Sequence, residues 1–309
     1  QQPSKTFQKL DKQCSDMSCP MKYNCCQQPD LCLKNKVCKP SNLSTKPYWK
    51  RFTCVCREGY HGENCDQPIK SCQGYAEGLQ KSGLYKLKSS DDTDYEVYCH
   101  FDSDSAWTLV HSYSFANRSL EQFRKPLFED TPISENNPTW SGYRLSRPRM
   151  RSVKDNSIFL MFTCDYEKAD SKTSDYLQIS LQNIDKRSKN IDIIEFSEGR
   201  TSLIRVAEGL GRIGEHDLTD CQVWLYQSDN NLLHVHVLKQ ASGCKFDSSC
   251  DGYNNHYFGK FSSSHGCLKK LHRCAQNYDS TTQLWFGTPK VNTAQASVGN
   301  PGSVVASVD

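Results

Sequence analysis

Cysteine spacing constrains this chain more than anything else in it. Cys54-Val55-Cys56 is followed by eight residues and then Cys65, and that interval holds a Gly59-Tyr60-x-Gly62 turn. Upstream, five residues separate Cys26 from Cys32 and five separate Cys32 from Cys38. A unit this short buries too little apolar surface to hold itself together, so its cysteines must staple it. The whole chain carries 17 cysteines in 309 residues, which places its folding in an oxidising compartment. Zinc knuckles are the rival reading of such a cluster. Cys14-x4-Cys19, Cys25-Cys26 and Cys54-x-Cys56 do not supply the paired C-x2-C spacing they need.

Charge and hydropathy narrow the class further. The formal net charge is +3, too small for bulk attraction to nucleic acid. The longest apolar run, Ile158-Phe159-Leu160-Met161-Phe162, is far short of the ~20 residues a spanning helix requires, so no membrane span is expected. The first residue is Gln1, with no apolar leader, which reads as a processed amino terminus of a secreted protein. Asn42-Leu43-Ser44 and Asn117-Arg118-Ser119 are glycosylation acceptors, whereas Pro138 excludes Asn137-Pro138-Thr139.

Texture divides the chain into five stretches. Residues 1–25 are a cysteine-bearing lead-in, 26–66 the small stapled module, and 67–71 a linker whose Gln67-Pro68-Ile69-Lys70 reads as a hinge. Residues 72–287 form the large domain, and 288–309 a flexible tail without aromatics or periodicity. In the large domain, period-two alternation marks strands at 95–101, 107–111, 176–181, 223–226 and 233–237. Ser119 to Arg124 reads as one short helix capped by Ser119. The expected fold class is a small disulfide-rich β module followed by a mixed α+β, mostly antiparallel, loop-rich domain.

The six-cysteine frame from Cys26 to Cys65 resembles an EGF-like module. That resemblance implies the pairs Cys26–Cys38, Cys32–Cys54 and Cys56–Cys65. The next stretch, Cys72-Gln73-Gly74, Ser82-Gly83-Leu84-Tyr85, Val97-Tyr98-Cys99 and Trp107-Thr108-Leu109-Val110, is similar to the opening of fibrinogen-related domains. It implies Cys72–Cys99; a further expected pair is Cys164–Cys221. After about forty residues the pattern departs. Asp102-Ser103-Asp104-Ser105-Ala106 stands where the family has glycines, no Gly-Phe-Gly segment occurs, and only Cys244–Asp251 lies near where a calcium loop belongs. The combination resembles secreted cnidarian proteins, including those of coral skeletal organic matrix. Cys14, Cys19, Cys25, Cys244, Cys250, Cys267 and Cys274 have no assigned partner, and an odd total leaves one thiol free or joined to another molecule.

Few constellations suggest chemistry. His234-x-His236 places two rings on one strand face, as a metal site or a polar sheet face would. No Gly-x-Ser-x-Gly elbow, His-Glu-x-x-His pair or phosphate-cradling glycine loop occurs. Arg147, Arg149 and Arg151, beside Arg144, would share a face of an extended segment and meet acidic glycan or matrix protein. Asp91-Asp92-x-Asp94 and Asp102-x-Asp104 offer oxygen ligands for loosely held calcium, although exposed acidic loops explain them too. No cofactor is implied. The function expected is a secreted, non-enzymatic extracellular matrix or adhesion glycoprotein, associated with a mineralised skeleton. A soluble glycan-binding lectin is the alternative, and a metal-dependent enzyme around His234 and His236 the third reading. Expected partners are matrix proteins, acidic glycans and a mineral surface. Should the arginine stripe fail, the aromatic loop Asp251 to Phe258 is the next binding face.

Overall fold

The computed structural model describes residues 32, 35–40, 52–76, 80–168, 175–181, 193–194, 199–206, 211–213, 216–217, 221–238, 255–259, 268 and 272–290. Near the amino end β1 (Lys36–Pro40) pairs with β2 (Phe52–Cys56), and β3 (Tyr60–His61) with β4 (Gln67–Pro68). The strands that follow are β5 (Gly83–Lys88), β6 (Asp94–Phe101), β7 (Ser105–Ser114), β8 (Gly142–Arg144), β9 (Phe159–Cys164) and β10 (Tyr176–Ser180). Then come β11 (Gly199–Val206), β12 (Gly211–Ile213), β13 (His216–Asp217), β14 (Cys221–Ser228), β15 (Asn231–Leu238), β16 (Asn255–Phe258) and β17 (Thr281–Pro289). One nine-stranded sheet runs β13-β12-β10-β9-β17-β7-β6-β5, with β8 also on β7; a four-stranded sheet runs β11-β14-β15-β16.

The closing segment matters most to this topology. β17 lies between β7 and β9, antiparallel to both, so the sheet's centre is completed from the far end of the sequence. The close fit there depends on Gly287. It pairs with Trp107, and a methyl group at 287 would fall inside that indole. The three central strands bury Leu109, Val110, Leu160, Phe162 and Phe286, all nearly sealed from solvent.

The fold class expected from sequence needs correction. The strand pairs are antiparallel, and the only α-helix among the described residues is α1 (Arg147–Asp155), so the architecture is β rather than mixed α+β. The helix expected at Ser119–Arg124 is a single 3-10 turn, Glu121–Phe123, with Leu120 in extended backbone at its cap. Six residues barely repay helix nucleation. The carbonyls of Gln122 and Lys125 are instead taken by the guanidinium of Arg144.

Disulfides join Cys32–Cys54, Cys56–Cys65, Cys72–Cys99 and Cys164–Cys274. Cys38 is also bonded, while Cys26 lies outside the described residues. The pairing Cys164–Cys221 is overturned. Cys221 opens β14 opposite Val206 in the smaller sheet, whereas Cys164 ends β9 beside Thr282 of β17, where the chain delivers Cys274. Gln67-Pro68 is not a free hinge either, because β4 is laddered to β3 and Ile69 is buried. No helix among the described residues is long and apolar enough to cross a membrane.

Candidate aromatic binding platform

Alternation in β6 decides which side chains reach the second face of the large sheet. Tyr95, Val97, Cys99 and Phe101 point into the core, leaving Tyr98 and His100 half-buried on the opposite face. Over them lie Trp140, from the loop before β8, and Tyr166, from the turn after β9, both half-buried. Trp285 of β17 is fully buried beneath the group. Ring centroids are separated by 4.9 Å for Tyr98–Trp140, 5.9 Å for Tyr98–Tyr166, 5.5 Å for Trp140–Tyr166 and 4.8 Å for Tyr166–Trp285. At such separations the rings touch one another in tilted and edge-to-face arrangements. They present a packed, half-buried aromatic surface.

A buried polar floor fixes that surface in place. Gln283, fully buried on β17, accepts from Thr163 Oγ1 at 2.8 Å and donates to Thr281 Oγ1 at 2.7 Å. Its Nε2 reaches Ser112 Oγ at 3.4 Å, and Ser112 in turn donates to the carbonyl of Trp140 at 2.6 Å. The indole of Trp285 donates to Thr163 Oγ1 at 2.9 Å, and the backbone N–H of Tyr166 donates to Gln283 Oε1 at 3.3 Å. One amide thus ties β7, β9 and β17 to both loops that carry the outer rings. Buried networks satisfied in this way rigidify their surroundings.

His100 completes the edge of the platform. Its Nδ1 is 2.6 Å from the Tyr166 hydroxyl and 3.2 Å from Ser82 Oγ. Burial lowers the His100 pKa, against the pull of nearby Asp102, and burial raises that of the Tyr166 phenol. Both groups are neutral near physiological pH and lie within hydrogen-bonding reach of each other. The site therefore offers aromatic faces, hydroxyls and a neutral imidazole.

The residues singled out in the sequence go elsewhere. Arg147, Arg149 and Arg151 lie on α1 rather than an extended segment, so they do not share one face. Arg149 is 3.2 Å from Glu135, donates to Asn136 at 2.8 Å and covers the Tyr95 ring at 4.4 Å. Arg144 is buried entirely. Asp91 accepts from the Ser89 hydroxyl and from Thr93, bonds that lower its pKa to about 2. Asp92 accepts from Tyr60 at 2.8 Å, and Asp94 pairs with Lys88 at 2.8 Å. Asp102 accepts from the amides of Asp104 and Ser105 and from the Trp107 indole, closing a turn. His234 is buried in β15 with Nδ1 2.8 Å from Leu232 O, while the side chain of His236 is outside the described residues. Asn117 is half-buried and donates to Ser141 O at 2.8 Å; Asn42 lies outside the described residues, as do residues 251–254 of the aromatic loop.

Sequence reasoning passed over the platform. Alternation did place Tyr98 and His100 on one face, but Trp140 and Tyr166 stand in loops with no period to betray them. No family model matches the chain. Among solved structures it is similar to a lamprey fibrin D-dimer complexed with the peptide ligand Gly-His-Arg-Pro-amide. That match has 11% identity, covers 82% of this chain and 83% of the other, and has a TM-score of 0.33, a likeness too loose to carry function.

Proposed function

We propose that this chain is a secreted, non-enzymatic matrix or adhesion glycoprotein that works by presenting the Tyr98–His100–Trp140–Tyr166 surface on a disulfide-bonded β scaffold. The disulfides fit folding in an oxidising, extracellular compartment. The observation that carries the reading is the platform itself: half-exposed rings locked from below by Gln283, with their polar neighbours neutral and engaged with one another. Such a surface holds a ligand by stacking and hydrogen bonding rather than by transforming it. Matrix proteins, acidic glycans and the mineral of a skeletal matrix are the partners proposed.

Soluble glycan recognition is the second reading, and the platform favours it specifically. A pyranose ring has one C–H face to lay on an aromatic ring and hydroxyls for Tyr98, Tyr166 and Ser82. Retention on a glycan array, on calcium carbonate and on acidic polymer separates the two. Trp140→Ala and Tyr166→Ala are expected to weaken saccharide retention about tenfold each, equivalent to ~1.4 kcal/mol. Retention on every surface that is indifferent to both substitutions sinks the platform reading.

A further inference from the structure

An acidic glycan needs a cation on this chain whose charge is not already spent inside the fold. Arg149 does not supply one, because it faces Glu135 at 3.2 Å, and Arg144 is buried among carbonyls. Arg118 is different. Its guanidinium lies over the Phe115 ring, 4.2 Å from the centroid, and Nη1 donates to Phe115 O at 2.8 Å. Among the described residues no carboxylate pairs with it.

The backbone beneath this arginine is fixed on two sides. After β7 ends at Ser114, the chain turns through the 3-10 segment Phe115–Asn117. Phe115 N donates to Ser280 O at 2.7 Å and Ala116 N to Tyr278 O at 2.9 Å, which laces the turn to the segment entering β17. On the other side Ser141 O accepts from Ser114 N at 3.0 Å and from Asn117 Nδ2 at 2.8 Å, tying the turn to the loop that carries Trp140. Phe115 is buried beneath Arg118 and Tyr278, whose ring centroid is 5.9 Å from its own. Tyr278 itself is 55% exposed.

This arrangement leaves a guanidinium ready for an anion. Stacking on Phe115 and the bond to its carbonyl already hold the planar fork, so little rotamer freedom is lost when a ligand arrives. Nε is buried and has no acceptor, so the charge is incompletely hydrated and gains more from an anion than a fully hydrated one does. Nη1 has a second N–H beyond the one given to Phe115 O, and Nη2 makes no hydrogen bond to the described residues. Those two nitrogens match the paired oxygens of a carboxylate or a sulfate. The exposed ring of Tyr278, against the same phenylalanine, offers a face for the C–H side of the sugar that bears the acid.

We infer that Arg118, held on Phe115 beside Tyr278, is the anion-recognition point of this chain, taking one carboxylate or sulfate group of an acidic saccharide. The inference rests on the reading of the chain as a glycan-binding matrix protein, and it adds to the aromatic platform a separate charged contact at the next turn of the same sheet end.

The experiment measures retention of the full chain on immobilised hyaluronan, which carries only carboxylates, on dextran sulfate, which carries only sulfates, and on uncharged dextran. Arg118→Gln should weaken retention about threefold to fivefold on the acidic polymers at low salt and leave dextran as it was. The difference should vanish near ~1 M salt, where charges are screened over ~3 Å. Loss on hyaluronan alone assigns a carboxylate, loss on dextran sulfate alone a sulfate, and loss on both the anion they share. Arg118→Lys keeps the charge without the fork and should fall between. Arg124→Gln removes the same charge from an exposed arginine and should cost less than Arg118→Gln. Thermal unfolding of each variant reports that the turn is still folded. Trp140→Ala, run beside them, separates the two readings: if it is inert while Arg118→Gln weakens acidic retention, the platform fails and this inference stands, and the reverse pattern overturns this inference and keeps the platform. Retention on both acidic polymers that Arg118→Gln leaves unchanged, or lowers no more than Arg124→Gln does, overturns it as well.

Discussion

Arg144 is the residue whose removal should tell most about how this fold is held. Its guanidinium is fully buried on β8, yet the groups it meets are backbone carbonyls. Nη1 donates to Gln122 O at 2.6 Å and Lys125 O at 2.9 Å; Nη2 donates to Pro126 O and Glu129 O, each at 2.7 Å. Burial lowers its pKa to about 10, with Asp130 and Glu129 opposing, so it stays charged near neutrality. These four bonds give the loop 118–131 its path, and that loop also joins the two sheets, since Leu127 N donates to Gln227 Oε1 at 3.0 Å. Arg144→Met keeps the length and removes every donor. A buried acceptor left without its partner costs ~1–3 kcal/mol, and four sharing one flexible loop do not add, so the expected loss is ~3–5 kcal/mol. At ~2–4 °C per kcal/mol that lowers the melting temperature by roughly 6–20 °C. Arg144→Lys should fall between, because one ammonium cannot span the fork. Thermal unfolding followed by near-ultraviolet circular dichroism measures the loss, and limited proteolysis should cut first within 118–131. A methionine variant within about 1 kcal/mol of the parent, with that loop still protected, refutes the reasoning.

Two further outcomes follow from the same packing. Gly287→Ala places a methyl group in the Trp107 ring, so it should destabilise the chain by ~1–3 kcal/mol; the paired change Gly287→Ala/Trp107→Leu should recover part of that in a denaturant titration. His111 is kept neutral, its pKa pushed well below 6.5 by burial and then by Arg144, and burial also lowers that of His100. Below pH ~6.5 the unfolded chain binds the protons that the folded one refuses, so stability is full above that pH. It should fall on acidification by up to ~1.4 kcal/mol per pH unit for each histidine, and His111→Phe should flatten the slope measured by urea unfolding between pH 7 and 5.

What was legible in the sequence was local. The alternations at Tyr95–Phe101 and Leu233–Val237 each became a strand because a period of two leaves a side chain no choice of face. The helix expected at 119–124 failed for a reason no window around it contains: its carbonyls answer to Arg144, some twenty residues on. Arg144 itself read as one member of a basic surface run, and only strand β8 reveals that it points inward. Likewise, Cys274 had no assigned partner because β17 crosses from the end of the chain into the sheet's centre, a register that sequence spacing does not encode. The platform shares that origin, since Trp140, Tyr166 and Trp285 meet only after the same strand is placed.

The small module is attached by physics that the linker's composition conceals. Pro68 and its polar neighbours suggested freedom, but Ile69 alone changes the outcome, because it has somewhere to bury. Its N–H donates to Gly59 O at 2.8 Å, and its carbonyl accepts from Lys88 N on the edge strand β5 at 2.9 Å. Tyr75 then bridges, accepting from Gly59 N at 2.8 Å and donating to Lys86 O, its pKa raised to about 12 by burial. Tyr60 bonds Asp92 at 2.8 Å with Lys88 over its ring at 4.8 Å. The outward groups of β5 that would otherwise template another strand are thereby covered along half its length. Gly74 is the tight point, since a Cβ there would come 2.6 Å from Ile69 Cγ2. Gly74→Ala should push Ile69 out and loosen the segment 57–70 while leaving the centre of the large sheet intact. Hydrogen exchange should report this as faster exchange at Ile69 and Lys88 with Leu160 and Phe286 unchanged. Exchange unaltered at Ile69 and Lys88 means that the module is held by something other than that contact.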